Sequence, residues 1–256
     1  IYDFARGTLT SLPAGPRPLA IWHPDGQRLT ASMGSATRQL MWIPADGTGA
    51  PTPLPTTERG GPMSWSPDGK TLAYLKDSDD PAGSEIWLLS LPDGDTTAVA
   101  RRLVPGPVGN GRAQFSPDGR YLAYESRQSG RVEVYVQPVS GAGGRVTIPS
   151  NGGTQPAWTD RELFYLEPGA NGMTRIMAVD VKPGESFSAG VPRELFEVSS
   201  ADYPGGVAPI RAYEVTRDGA RFLMAQVLKA SIEAPIRQVV IVQNWLDELK
   251  RMAPSK

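Results

Sequence analysis

Residues 64–75 read SWSPDGKTLAYL, a Ser-Pro-Asp-Gly turn set between two short apolar runs. In Ser66-Pro67-Asp68-Gly69 the proline ring presets φ at the first corner and Asp tolerates the second. Gly then takes the left-handed position that a bulged hairpin requires. The Ser66 hydroxyl can add a side-chain hydrogen bond inside the turn. The stretch therefore predicts two antiparallel strands joined by a tight corner. It does not stand alone, because QFSPDGRYLAYE follows at 114–125 and IWHPDGQRLTAS precedes at 21–32.

Aligning the turns gives five copies, anchored at Trp22, Trp65, Phe115, Trp158 and Val215, with spacings of 43, 50, 43 and 57 residues. A period near 40–50 residues made of short strands is the signature of a β-propeller, in which each blade is a four-stranded antiparallel sheet. Third strands follow at RQLMWIP, SEIWLLSLP, VEVYVQPV, TRIMAVDV and RQVVIVQNW. Several are apolar at consecutive positions, such as Ile86-Trp87-Leu88-Leu89, as a strand buried on both faces should be. The fourth strands, PTPLPTT, ARRLVPG, GRVTIPS and PRELFEVS, carry the prolines expected at an outer edge. Asp46-Gly47 and Asp93-Gly94 supply turns between third and fourth strands. The fourth copy, AWTDRELFYL, lacks the Pro and Gly, so its corner should be shorter.

The expected fold is an all-β propeller of about six four-stranded blades forming a single domain over residues 1–256. Blades are expected over 19–57, 62–106, 112–151, 155–199 and 211–245. Residues 1–13 read as the outer strands of an incomplete blade whose first half lies upstream, and 246–256 as a helical tail that Asn244 could cap. No blade can cover its own faces, so each relies on its neighbours, with Trp22, Trp65, Phe115 and Trp158 expected as buried anchors.

Composition limits the function. The 256 residues carry 26 basic and 27 acidic side chains, so no global field draws the chain to nucleic acid or an anionic membrane. Gly and Pro make up about a fifth of the chain and are spread among β-branched and aromatic residues, which indicates many turns. The absence of cysteine removes disulfides, thiolate metal sites and a Cys nucleophile. No apolar run approaches the ~18 residues needed to span a bilayer.

WSPDGKTLAYLKDSDDPAGSEIWLLSLPDGD, FSPDGRYLAYESRQSGRVEVYVQPV and VVIVQNWLDELKRM resemble TolB-type, WD-repeat-like propeller repeats. More closely, they resemble the propeller at the C-terminal end of many bacterial serine/threonine kinases. The resemblance covers nearly the whole chain. It implies a propeller carried behind a kinase domain, often with a membrane span between them and so in an extracytoplasmic position.

A search for chemistry leaves little. Propellers also occur on serine oligopeptidases, but the nucleophile elbow Gly-x-Ser-x-Gly is absent from this sequence. His23, the one histidine, occupies the Ser position of the first turn and reads as structural; a His-containing zinc site has no further histidine to draw on. DFARG at 3–7 has Ala5 where a kinase motif needs Gly. GAGGR at 141–145 precedes a strand-like stretch, whereas a phosphate loop precedes a helix. Asp77, Asp79 and Asp80, with Glu85 following, raise calcium as an alternative, but Pro81 and the short spacing do not fit the twelve-residue loop. No metal and no cofactor is expected.

The inner strands begin on the face opposite the Ser-Pro-Asp-Gly turns, so the loops leading into them ring the channel mouth. These are TTERGGP, VPGPVGNGR, SNGGTQP and YPGGVAPIR, and they contribute Arg59, Arg112 and Arg211. Neighbouring loops add Arg127 and Arg131. Guanidinium forks there could hold an anionic small molecule or an acidic or extended peptide; the competing reading is that these arginines pair with local carboxylates. The sequence therefore predicts a non-catalytic ligand- or protein-binding propeller, the sensor or interaction domain of a bacterial serine/threonine kinase. The alternatives are a TolB-like scaffold for protein–protein contacts, or the propeller half of a serine oligopeptidase whose catalytic domain lies elsewhere. Expected partners are a protein, a peptide or a small anionic ligand, with no nucleic acid and no membrane insertion by this chain.

Overall fold

The Ser-Pro-Asp-Gly corner forms as its residues require. The computed structural model describes residues 1–3, 7–10, 12, 19–34, 38–77, 85–91, 98–106, 109–182, 187–203, 211–224 and 226. Gly69 sits at φ +70° and its N–H donates to the Ser66 carbonyl at 2.8 Å. Ser66 Oγ donates to Asp68 Oδ1 at 2.5 Å and accepts the Thr71 N–H at 2.9 Å. The same network recurs at Ser116–Gly119 and, with Thr in place of Ser, at Thr216–Gly219. In the fourth copy the corner occupies only residues 159–161, closed by the Thr159 hydroxyl and the Glu162 N–H at 3.0 Å.

The strands follow these corners in antiparallel order. A hairpin of β1 (Tyr2–Asp3) and β2 (Thr8–Leu9) comes first. Blade one holds β3 (Leu19–Trp22), β4 (Arg28–Met33), β5 (Gln39–Pro44) and β6 (Thr52–Pro53). Blade two holds β7 (Gly60–Trp65), β8 (Thr71–Lys76), β9 (Glu85–Ser90) and β10 (Val99–Val104). Blade three holds β11 (Gly111–Phe115), β12 (Tyr121–Ser126), β13 (Glu133–Pro138) and β14 (Val146–Thr147). Blade four comprises β15 (Thr154–Trp158), β16 (Glu162–Pro168), β17 (Met173–Lys182), β18 (Ser188–Ala189) and β19 (Arg193–Ser199), with β18 and β19 both pairing the long β17. Of blade five, β20 (Tyr213–Val215) and β21 (Phe222–Met224) are described. The expected strand at 237–245, the tail at 246–256 and the Asp93-Gly94 turn lie outside the described residues. No helix among the described residues is long and apolar enough to cross a membrane.

Side chains alternate between the two faces of a strand, and here the alternation sorts them between two neighbours. Leu72, Tyr74 and Leu89 pack toward blade one with Leu40, Trp42 and Leu54. Ala73, Ile86 and Leu88, from the same two strands, pack toward blade three with Phe115, Leu122 and Tyr124. The pattern repeats between blades three and four, where Trp158 and Tyr165 meet Tyr121 and Val136. It repeats again between blades four and five, where Phe164 and Phe196 meet Tyr213 and Phe222. Central strands read as continuous apolar runs because neither face meets water.

The anchors lean on the preceding blade. The Trp65 indole stacks on Trp42 with centroids 5.2 Å apart, and its Nε1–H donates to Thr30 Oγ1 of blade one at 2.9 Å. The Trp158 Nε1–H donates to the Gln114 carbonyl of blade three at 3.1 Å. Trp22 departs from the expectation of a buried anchor: it is 49% exposed, against 6% for Trp65. Trp22 lies outside the apolar cluster shared by blades one and two, whereas Trp65 lies within it. The turns also stack around the ring. A Cβ on Gly69 would meet the His23 ring at 2.8 Å, and one on Gly119 would meet Pro67 at 3.3 Å.

Trp65→Ala should cost about 3–5 kcal/mol, while Trp22→Ala should cost about 1 kcal/mol or less because half its ring already faces water. Urea unfolding midpoints of the two variants check the ranking. The turns also set an acid limit. The Ser66 hydroxyl and the Lys70 amide hold the Asp68 carboxyl below its ordinary value of 3.8, and Thr216 and the Ala220 amide do the same for Asp218. A depressed folded-state value stabilises above the unfolded value and loses that contribution as pH falls through the folded one. The melting temperature should therefore drop as pH falls below about 4, and Asp68→Asn should make that drop shallower.

Candidate functional site

The inner strands β3, β7, β11, β15 and β20 belong to different sheets and share no backbone ladder. Side chains stitch them together. Ser64 Oγ accepts the Phe115 N–H at 2.9 Å, and Gln114 Oε1 accepts the Trp158 N–H at 2.6 Å. Gln155 Oε1 accepts the Ala212 N–H at 2.6 Å, while its carbonyl accepts the buried Tyr213 hydroxyl at 2.9 Å. These bonds satisfy N–H groups that would otherwise be unpaired at the axis.

Residues of β3, β7, β11 and β20, with Arg211, line an open cavity of about 380 Å³, within the range typical of small-ligand sites. Its wall runs from Arg112 and Arg211, where the inner strands begin, to His23 and Pro24 at their turn ends. Trp22, Met63 and Glu214 contribute between them. Of the five arginines read from sequence, the structure brings Arg112 and Arg211 to this one cavity; Arg59, Arg127 and Arg131 are outside its lining.

Each arginine has a distinct setting. Arg112 sits at φ +45° in a bulge where the β11–β12 register shifts, and its guanidinium donates to Glu125. Both side chains are nearly buried, at 13% and 9% exposed. Glu125 also accepts the Thr154 hydroxyl and the Gln155 N–H, so one carboxylate ties blade three to blade four. Gln155 occupies the corresponding bulge of β15 at φ +56°. The Arg211 side chain is 11% exposed; its Nη2 donates to both Glu214 oxygens at 2.8 Å, and its Nε is buried with no partner among the described residues. Arg131 pairs with Glu133 at 2.8 Å and with the Ser150 carbonyl at 3.1 Å. Arg59 and Arg127 are exposed, and neither side chain forms an ion pair with another described residue.

Asp77 is engaged by Arg38 at 2.5 Å. Asp79 and Asp80 lie outside the described residues, and no group of three His, Cys, Asp or Glu side chains among the described residues is placed to hold a metal. His23 is buried between the Trp42 and Trp65 rings, and its Nε2 lies 3.2 Å from the Gly69 carbonyl, joining blade one to the turn of blade two. Gln114 and Glu214 line the cavity without being marked by the sequence reading, and Trp22, read there as a buried anchor, lines it as well. A signal was available: Ser64, Gln114 and Glu214 each stand one residue before an anchor, and such polar residues in an apolar strand mark the axis.

No family profile matches the chain. Over 106 residues it is 31% identical to the uncharacterized peptidase YuxL of Bacillus subtilis, covering 39% of this chain and 15% of that protein. Over 107 residues it is 36% identical to a tricorn protease homolog of Streptomyces coelicolor, covering 42% of this chain and 8% of that protein. The matches thus span a small part of each relative. Among solved structures, a TolB of Agrobacterium tumefaciens superposes with a TM-score of 0.55 at 20% identity, covering 69% of this chain and 64% of that one. A puromycin-hydrolyzing peptidase of Mycobacterium tuberculosis superposes with a TM-score of 0.57 at 20% identity, covering 87% of this chain and 39% of that one.

These likenesses correct one expectation. The sequence reading places the chain outside enzymes; against it, proteins similar to the chain in sequence are named peptidase and protease. The kinase-borne sensor reading gains no support from them. The fold is a partial β-propeller whose structural neighbours are TolB-type proteins and propeller-containing peptidases.

Removing one partner of a buried ion pair strands the other charge, so Arg112→Met should cost about 3–5 kcal/mol. Arg59→Met, at an exposed arginine without an ion-pair partner among the described residues, should stay within about 0.5 kcal/mol of the parent. Chemical denaturation of both variants is the check.

Proposed function

We propose that this chain is the propeller portion of a peptidase, and that its axial cavity receives a peptide segment. The observation that carries this reading is the sequence identity of 31% and 36% to two proteins named as peptidase and protease. The cavity supports it: a site of about 380 Å³ with aromatic, sulfur and charged walls suits a short extended peptide. The stitched inner strands favour a pocket that is already formed before anything binds. What these residues would supply is shape and charge at the axis.

A second reading has its own observation. The TolB neighbour is matched over 64% of its length, a larger share than either peptidase relative, which favours a scaffold for protein contacts. The two readings separate in the contiguous coding sequence. A reading frame that also encodes a Gly-x-Ser-x-Gly elbow between a strand and a helix, and whose product hydrolyses peptide anilides until the elbow serine is replaced by Ala, is the expected result. A frame with no such segment and no hydrolysis would overturn the peptidase reading in favour of the scaffold.

A further inference from the structure

The Arg211–Glu214 pair is incompletely made. A guanidinium offers five N–H donors in a planar fork, and a carboxylate matches it best by bridging two nitrogens. Glu214 does not bridge: both of its oxygens take the single Nη2, each at 2.8 Å. Nε is buried without an acceptor among the described residues, a state that carries the full desolvation cost of the donor. The arginine is fixed, with its side chain 11% exposed, whereas the glutamate is loose at 63%. A buried, half-used fork held by an exposed carboxylate is a receptor occupied by a weak internal stand-in.

Its position gives this a use. Arg211, Glu214 and Trp22 all line the axial cavity. Trp22 is 49% exposed, so the cavity wall also offers apolar surface. Arg112 also lines the cavity, but its guanidinium is held by the nearly buried Glu125. Of the two arginines on the cavity wall, Arg112 is paired with a nearly buried carboxylate and Arg211 with an exposed one.

We infer that Arg211 receives a ligand carboxylate by exchange with Glu214, anchoring a peptide through its free C-terminus or an acidic side chain while Trp22 covers the adjoining apolar part. A bridging carboxylate on Nε and Nη2 would satisfy the donor that Glu214 leaves unpaired. The inference rests on the peptide reading of the cavity and goes beyond it by naming the recognised group.

Isothermal titration of the full chain with three peptides tests it: acetyl-Ala-Leu-Ala with a free C-terminus, its C-terminal amide, and acetyl-Ala-Asp-Ala-amide. The free acid should bind at least about tenfold more tightly than the leucine amide, as a charge-assisted fork commands. Tight binding of the aspartyl amide would support side-chain carboxylates as a source, and weak binding would assign the site to C-termini. Glu214→Gln should tighten the acid and leave the leucine amide unchanged, because only the acid competes with Glu214. Arg211→Gln should abolish the acid's advantage, with a cooperative melt confirming that the variant folds. Equal binding of the acid and the leucine amide would overturn the carboxylate inference while sparing the peptide reading. Absence of binding by all three would overturn both.

Discussion

Blades two, three and four each have two apolar faces and cover neither by themselves. That constraint governs the rest. Leu72 and Ala73 are adjacent in sequence yet belong to different cores, one shared with the blade before and one with the blade after. Burial on this pattern is collective, because a blade's dry interior is made by its neighbours and not within itself. The tight corners matter for the same reason. They hold each hairpin narrow enough for the next sheet to lie flat against it, and Gly69 and Gly119 let one corner press on the last.

At the axis the constraint changes character. Inner strands from separate sheets converge without a ladder between them, so backbone donors there need side-chain acceptors. Ser64, Gln114 and Gln155 provide them, and each bond crosses from one blade to the next. Glu125, ion-paired to Arg112 within blade three, adds charge-assisted hydrogen bonds from Thr154 and Gln155 across the third boundary. The polar groups that secure the ring therefore also furnish much of its central wall. Where the same chemistry is left unfinished, at Arg211 and Glu214, the wall can serve something other than stability.

Much of this architecture was legible because it is local. A Pro-Asp-Gly run dictates its corner whatever surrounds it, and consecutive apolar residues such as Ile86 to Leu89 announce a strand with no wet face. Trp22 shows where locality ends. Its sequence context matches that of Trp65, but exposure depends on what stands beyond the sheet, which the residues themselves do not encode. The candidate site was legible only in outline. That Arg112 and Arg211 approach the axis follows from topology, but the partner of Arg112 is Glu125 on the next strand, brought near by a bulge that no spacing rule marks. Glu214 stands three residues from Arg211, but strand alternation alone does not signal an ion pair.

The one-way lean of the aromatic anchors has an architectural consequence. Each indole or phenyl ring is sheltered by the sheet ahead of it in the chain, so the stack has a direction, like tiles overlapping down a roof. Losing a tile from the lower end bares side chains such as Phe164 and Phe196 but leaves the anchors above it sheltered. Losing one from the upper end strips the shelter from the ring below, so growth or loss of units in such a protein is not equivalent at its two ends.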